Sequence, residues 1–195
     1  MKYKLDLEDD SSAFEGWAFV HIHTSLAGYA LADMLNRLYD YQLTRLENLV
    51  VEGLEWPLYH HDDTVAHLKY FLLERPLQAE VWDAGDKLLA IAGDTAEQEA
   101  DRICSDLTEP AHYDSADLLA QEHAALVDEL LASFTVAGIL DFGSTEGLSR
   151  KALRDRNMAE QYCNRLIESI EIRYLDLGSE DRRRAEEKLF SVDWK

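Results

Sequence analysis

The chain has 195 residues, 47% of them hydrophobic, and carries 19 Lys and Arg against 39 Asp and Glu, a formal net charge of −20. With only nine Gly and three Pro, the composition excludes a disordered, collagen-like or low-complexity chain, and the negative charge opposes direct binding to nucleic acid or an anionic membrane. The longest apolar stretch, residues 134–140, is far shorter than the roughly 20 residues that cross a bilayer, and no secretory signal is recognisable, so we expect a folded cytoplasmic protein.

The predicted elements begin with strands. Residues 2–7 alternate polar and apolar side chains, as a half-buried strand does, and residues 17–23 are aromatic and β-branched enough for a second strand. From Thr24 or Ser25 an apolar stripe at helical spacing predicts a helix with a hydroxyl cap. Its members are Leu31, Met34, Leu35, Leu38 and Tyr41. Short β-like segments at 43–51, 56–60, 67–73 and 87–92 then favour an antiparallel meander.

The second half of the chain is predicted to be mainly helical. Asp94 and Glu97 resemble a capping box, followed by an apolar stripe of Ala96, Ala100, Ile103, Cys104 and Leu107. Further helices are predicted over 114–134, 150–168 and 180–190, with a glycine-containing joint at 138–147, while 170–174 fits either a helix or an edge strand. The predicted class is α+β: a small, mostly antiparallel sheet with packed helices, followed by a helical C-terminal part. We expect an α+β domain at 1–110 and a helical extension at 111–195 packed on it, or one compact unit.

Four segments carry a resemblance to a known family. They are Lys4–Leu7, the run from Val20 to Arg37, Pro57–Asp63 (PLYHHDD) and His67–Arg75 (HLKYFLLER). In this order they resemble a small bacterial family known by its IPExxxVDY motif, over roughly residues 1–92. The namesake motif is not intact in the corresponding stretch, residues 76–90, which reads PLQAEVWDAGDKLLA. The resemblance implies a fold class and no mechanism, so no site residue is transferred from it.

Histidines are the candidate metal ligands. His21 and His23, two residues apart on a predicted strand, are expected to project together. His60, His61 and Asp62 lie where a hairpin brings imidazoles and a carboxylate together, a donor set that suits zinc. The simpler interpretation is that His21 and His23 are satisfied, partly buried side chains and that His60 and His61 are solvated, because no HExxH or CxxC motif accompanies them.

Other motifs give no further chemistry. The chain has no Walker loop, GxGxxG or GxSxG, and its Asp141-Phe-Gly143 tripeptide lacks the accompanying kinase motifs. No cofactor is therefore predicted. Cys104 and Cys163 lie on predicted helices, where we expect them to be free thiols and not a disulfide.

Charge divides the chain into two unequal parts. Residues 1–148 carry 8 basic and 29 acidic side chains, whereas 149–195 carry 11 and 10, including Arg182–Arg184. Such an Arg-rich end either docks on the acidic body of another molecule or faces the acidic body of its own chain. The second arrangement is the simpler expectation.

These observations favour a non-catalytic function. We expect a protein-protein interaction or self-association module, for example a homodimer, that uses the apolar faces of the helices at 114–134 and 150–175. One alternative is a metal-dependent enzyme with a site at His21, His23, His60, His61 and Asp62. A second is an acidic mimic of nucleic acid that inhibits a DNA-binding protein.

Overall fold

The computed structural model describes residues 14–77, 86–108, 118–133, 135–140, 142 and 147–174. Within these ranges the elements follow in the order β1 (Trp17–His23), α1 (Gly28–Tyr39), β2 (Thr44–Arg45), β3 (Leu49–Val51), β4 (Leu54–Trp56), β5 (Leu58–Asp63), β6 (Leu68–Glu74), β7 (Lys87–Ala92), α2 (Ala96–Thr108), α3 (Leu118–Ala132), β8 (Val136–Ile139) and α4 (Arg150–Tyr174). The predicted α+β class is confirmed. The strand predicted at 2–7 and the helix predicted at 180–190 lie outside the described residues.

Among the described residues, six strands form one sheet in the order β2-β5-β6-β7-β1-β8, and all these pairings are antiparallel. The predicted meander is confirmed for β5, β6 and β7, which are neighbours both in sequence and in the sheet. The segment expected at 43–51 is two strands, and β3 pairs with β4 in a separate hairpin. Its two-residue turn, Glu52-Gly53, has φ of 54° and 76°, the left-handed conformation that matches the twist of a tight hairpin.

Alternate residues of the sheet face two different cores. In β1, Val20 and Ile22 belong to the core under α1, α2 and α3, whereas Trp17 and Phe19 belong to the core shared with α4 and the β3–β4 hairpin. β7 is buried on both faces, which explains its continuous apolar sequence. The sheet is thus the middle layer, with three helices on one side and α4 on the other.

Helix α1 begins at Gly28, so the hydroxyl cap expected at Thr24 or Ser25 is wrong. Thr24 Oγ1 instead lies 2.7 Å from Thr135 Oγ1. The Gly28 N–H donates to Glu74 Oε2 of β6 at 3.2 Å, and the other oxygen of Glu74 pairs with the buried Lys87 Nζ at 3.2 Å. A Cβ at position 28 would lie 2.5 Å from that carboxylate, so a larger residue there would have to displace it. One carboxylate therefore compensates both a buried ammonium group and the positive end of a helix.

Strand β8 was not expected from the sequence. Gly138, which indicated a joint, lies in the middle of this strand, and β8 extends the sheet beyond β1. A Cβ at position 138 would lie 2.2 Å from His21 Nε2, so any larger residue there would force the imidazole ring to move. Residues after 110 therefore supply a strand as well as helices.

Helix α4 continues without a break through residues 170–174, which resolves the alternative left open by the sequence. Its hydroxyl cap is Ser149, whose Oγ accepts the N–H of Ala152 at 3.1 Å. All its buried residues lie at or after Ala159, and none of residues 150–158 is buried. The buried part is held by an Arg165–Glu52 ion pair and by Arg173, which donates to the Asn48 carbonyl at 3.0 Å.

Candidate functional site

The first pair of predicted metal ligands is adjacent in the structure. His21 and His23 lie on the same side of β1, and their ring centroids are 5.6 Å apart. Two imidazoles are fewer than the three or four protein ligands that zinc sites use. Within the described ranges, no three His, Cys, Asp or Glu side chains come together as a metal site would require.

The second set lies elsewhere and is itself divided. His60 and His61 are consecutive in β5: the His60 ring packs on Phe71 at 4.8 Å, in the α4-side core, while the His61 ring packs on Tyr41 at 5.2 Å, on the opposite face. Asp62 pairs with Lys69 at 3.9 Å. Strands β6 and β7 separate β5 from β1, so the structure does not bring the five candidates together.

His60 has an apolar environment. Burial lowers its pKa from the ordinary value, and the neighbouring Asp62 only partly opposes that shift. The simpler interpretation, in which His60 is a solvated turn residue, is therefore wrong at this position, because the His60 ring packs against Phe71.

Sequence reasoning missed a polar cluster around Glu99 of α2. Glu99 Oε1 accepts the hydroxyl groups of Tyr41 at 2.5 Å and Tyr70 at 3.0 Å. Arg102 donates to both carboxylate oxygens, at 2.6 and 2.8 Å, and its guanidinium lies 4.6 Å from the ring centroid of Tyr39. We call Tyr39, Tyr41, Tyr70, Glu99 and Arg102 the Glu99 cluster.

The electrostatics of the Glu99 cluster fix its protonation states. Burial by itself would raise the pKa of Glu99, but hydrogen bonds from Arg102 and Tyr41 hold that pKa below its usual value. Burial and the Glu99 charge raise the pKa of Tyr70 to about 12 and that of Tyr41 further. An ionised carboxylate and protonated hydroxyl groups that bond one another are suited to joining α2 to β6 and to the segment after α1.

One sequence signal does point to this cluster. Glu99 follows Ala96 by three residues and precedes Ile103 by four, so it lies on the core-facing stripe of α2. A carboxylate at such a position requires a buried partner. The partners themselves come from β6 and from the segment after α1, which helix periodicity cannot identify.

The apolar helix faces expected to mediate self-association are used inside the chain. Val127 and Leu130 of α3 lie in the core under the three helices, and Cys163 and Leu166 of α4 lie in the other core. Any surface offered to a partner must therefore be found elsewhere. Cys104 and Cys163 are free cysteines, as predicted.

Charge is unevenly divided between the two faces of the sheet. Helices α2 and α3 carry seven acidic residues and one basic residue, Arg102, whereas α4 carries six basic and four acidic residues. Because α4 packs on the opposite face from α2 and α3, its cationic residues do not face the acidic helices of the same chain. The expectation of an Arg-rich end facing its own acidic body is met at Arg165, which pairs with Glu52, whereas Arg182–Arg184 lie outside the described residues.

The exposed start of α4 forms one candidate interaction surface. Arg150, Lys151 and Arg154 are exposed and form no ion pair with any residue in the described ranges. Met158, one turn beyond Arg154, is 41% exposed. We call these four residues the cationic surface.

A surface of opposite charge lies where α3 ends. Asp128 and Glu129 are exposed, and neither forms an ion pair within the part of the chain that the structure describes. Val136, which begins β8 shortly after α3, is 58% exposed. We call these three residues the anionic surface.

Sequence comparison with known proteins identifies no family for this chain. No protein-family model matches the sequence, and no curated protein matches it significantly. The resemblance to the IPExxxVDY family therefore depends only on the four segments quoted above. Among the described helices, none is long and apolar enough to span a membrane.

Proposed function

We propose that this protein acts by associating with further copies of itself, as an acidic interaction module without catalytic activity. The observation that carries the proposal is the separation of charge between the two faces of the sheet. Arg150, Lys151 and Arg154 of α4 are exposed and form no ion pair within the described part of the chain, and the same is true of Asp128 and Glu129 of α3. A second copy supplies both kinds of missing partner.

The net charge does not prevent such association at physiological salt. The Debye length is about 8 Å at 0.15 M salt, so repulsion between whole molecules of charge −20 is largely screened. Groups in direct contact at an interface are screened much less. At about 1 M salt the Debye length falls to about 3 Å, and the attraction between exposed surface charges weakens too.

The test is the mass of the untagged protein in sedimentation velocity, from about 1 to about 100 µM, a range that covers micromolar association. At about 0.15 M salt we expect species heavier than the 22.3 kDa chain that increase with concentration, and at about 1 M salt we expect the monomer. A monomer at every concentration overturns the proposal. If the monomeric protein displaced a DNA-binding protein from DNA, nucleic-acid mimicry would replace self-association as the proposed function.

The metal-dependent alternative retains one specific observation, the contact between His21 and His23. Native mass spectrometry with added Zn²⁺ tests it. Zinc that the wild type retains and His23→Ala loses would favour a metal function. Equal zinc retention by the two proteins would exclude His21 and His23 as metal ligands.

A further inference from the structure

We infer that the copies join head to tail, with the cationic surface of one molecule seated on the anionic surface of the next. This inference rests on the proposed function and adds the two surfaces that meet. It places Arg150, Lys151 and Arg154 opposite Asp128 and Glu129, and it brings the exposed Met158 and Val136 into the same contact.

The start of α4 supports this pairing because it breaks the usual rule for helix ends. The first turn of α4 has no acidic residue and carries Arg150 and Lys151, although the helix dipole makes that end positive. Cations at this end destabilise the isolated helix. A sequence that breaks a local preference, with no compensating ion pair among the described residues, points to a function for those residues.

The end of α3 breaks the same rule in the opposite sense. Its last turn has no basic residue, and Asp128 and Glu129 lie near the end that the dipole makes negative. Contact between the two surfaces would place three cations beside two carboxylates and the unfavourable end of each helix beside charge of the opposite sign. Both mismatches would be relieved by one interface.

Each surface also contributes an apolar side chain. Met158 is 41% and Val136 is 58% exposed, and protein interfaces combine an apolar centre with a charged rim. Methionine adapts its shape to a partner more readily than a branched side chain does. The Met158–Val136 contact is therefore expected at the centre of the pairing, with the charges around it.

The positions of the surfaces determine the kind of assembly. Because α3 and α4 pack on opposite faces of the sheet, a molecule bound through its cationic surface keeps its anionic surface available. Such a heterologous contact generates closed rings or open chains, whereas a symmetric dimer stops at two copies. The inference therefore predicts species larger than a dimer.

Two charge-reversal variants test the pairing. The first, Arg150→Glu/Lys151→Glu/Arg154→Glu, removes only the cationic surface, and the second, Asp128→Lys/Glu129→Lys, removes only the anionic surface. Each alone should associate at least about tenfold more weakly than the wild type, because two or more charge pairs become repulsive. Mixed together, they should recover association, because each retains one original surface and the two reversed surfaces carry opposite charges.

Matched controls separate specific pairing from net charge. Glu15→Lys/Glu47→Lys makes the same charge change as the second variant at two exposed sites elsewhere and should associate as the wild type does. Arg150→Lys/Lys151→Arg/Arg154→Lys conserves charge and should also associate normally.

The outcomes are distinguishable. A wild-type protein that associates while both reversal variants behave like it would overturn the pairing and leave the proposed function standing. A wild-type assembly that stops at two copies would overturn the head-to-tail arrangement. Failure of the mixed variants to combine would equally exclude this pair of surfaces, whereas a monomeric wild type would remove the proposed function itself.

Discussion

The two faces of the sheet are closed by different means. On one face, three helices are joined to the strands by partly buried polar groups, the Glu99 cluster and the Glu74–Lys87 pair, as well as by apolar packing. On the other face, one long helix packs mainly through apolar side chains such as Leu166 and Ile170. Helix α4 therefore needs few of its charged residues to hold its place on the sheet, and the charged residues of its first turns are left for contact with another molecule.

The largest expected loss of stability comes from the apolar contacts of α4. Leu166→Ala removes a fully buried side chain from α4 and should lower the free energy of unfolding by about 3 kcal/mol, because transfer and cavity terms add. Urea unfolding measures it. Met158→Ala on the exposed part of the same helix should cost less than about 0.5 kcal/mol. Equal losses would mean that α4 is not held by its buried stripe.

On the face covered by α1, α2 and α3, removing the charge of Glu74 should lower the free energy of unfolding by nearly as much. Glu74→Gln leaves Lys87, which is 6% exposed, without its counterion and should destabilise the fold by about 2–3 kcal/mol. The double variant Glu74→Leu/Lys87→Leu should recover much of that loss, because an apolar pair has no uncompensated charge. A double variant as unstable as the single one would show that capping of α1, and not the ion pair, is the main contribution.

A smaller effect with a characteristic pH dependence is expected at Glu99. Glu99→Gln should cost about 1–2 kcal/mol at neutral pH, because the charge on a bonded carboxylate is lost. Since the folded-state pKa lies below the unfolded one, the stabilisation is present above about pH 4.3 and disappears as pH falls through the folded value. Urea unfolding of both proteins between about pH 3 and pH 7 should therefore converge at the acid end. A constant difference would contradict an ionised Glu99.

Tyr70 should show the corresponding pH-dependent effect on stability at alkaline pH. Tyr70→Phe should cost about 1 kcal/mol at neutral pH. The folded-state pKa of Tyr70, about 12, lies above the unfolded value near 10, so its contribution is present below pH 10 and lost as pH rises towards 12. Urea unfolding at about pH 9 and pH 11 should show a steeper loss in the wild type than in Tyr70→Phe. Tyr29→Phe, at a residue 71% exposed, is the matched control and should follow the wild type.

The sequence predicted local structure better than it predicted contacts between distant residues. The bounds of β1 and β7 follow from their apolar and β-branched composition, and the meander follows from the short spacing between segments. Strand β8 has four residues including Gly138, so neither length nor composition identified it, and only its pairing with β1 makes it a strand. The start of α1 depends on Glu74, which is 46 residues away from Gly28.

The candidate site was harder to predict for the same reason. Spacing correctly placed His21 beside His23, but it could not reveal that two strands separate them from His60. The charge imbalance between the two parts of the chain was visible in the sequence, whereas the face on which each charge lies depends on the topology of the sheet. The carboxylate of Glu99 on the core-facing side of α2 was visible in the sequence, but the apolar residues around it made that side look like an ordinary hydrophobic stripe.

The smallest expected effect is the one most directly tied to function. In the monomer, Arg150→Glu/Lys151→Glu should raise the free energy of unfolding by about 0.5–1 kcal/mol, because carboxylates at the start of α4 suit the helix dipole and arginine and lysine do not. The measurement is urea unfolding at a concentration where the wild type is monomeric, at low salt so that the effect is not screened. The same variant should associate more weakly. Opposite signs for stability and association would indicate that the cations are retained for the contact between molecules, whereas a loss of both would indicate that they stabilise their own chain.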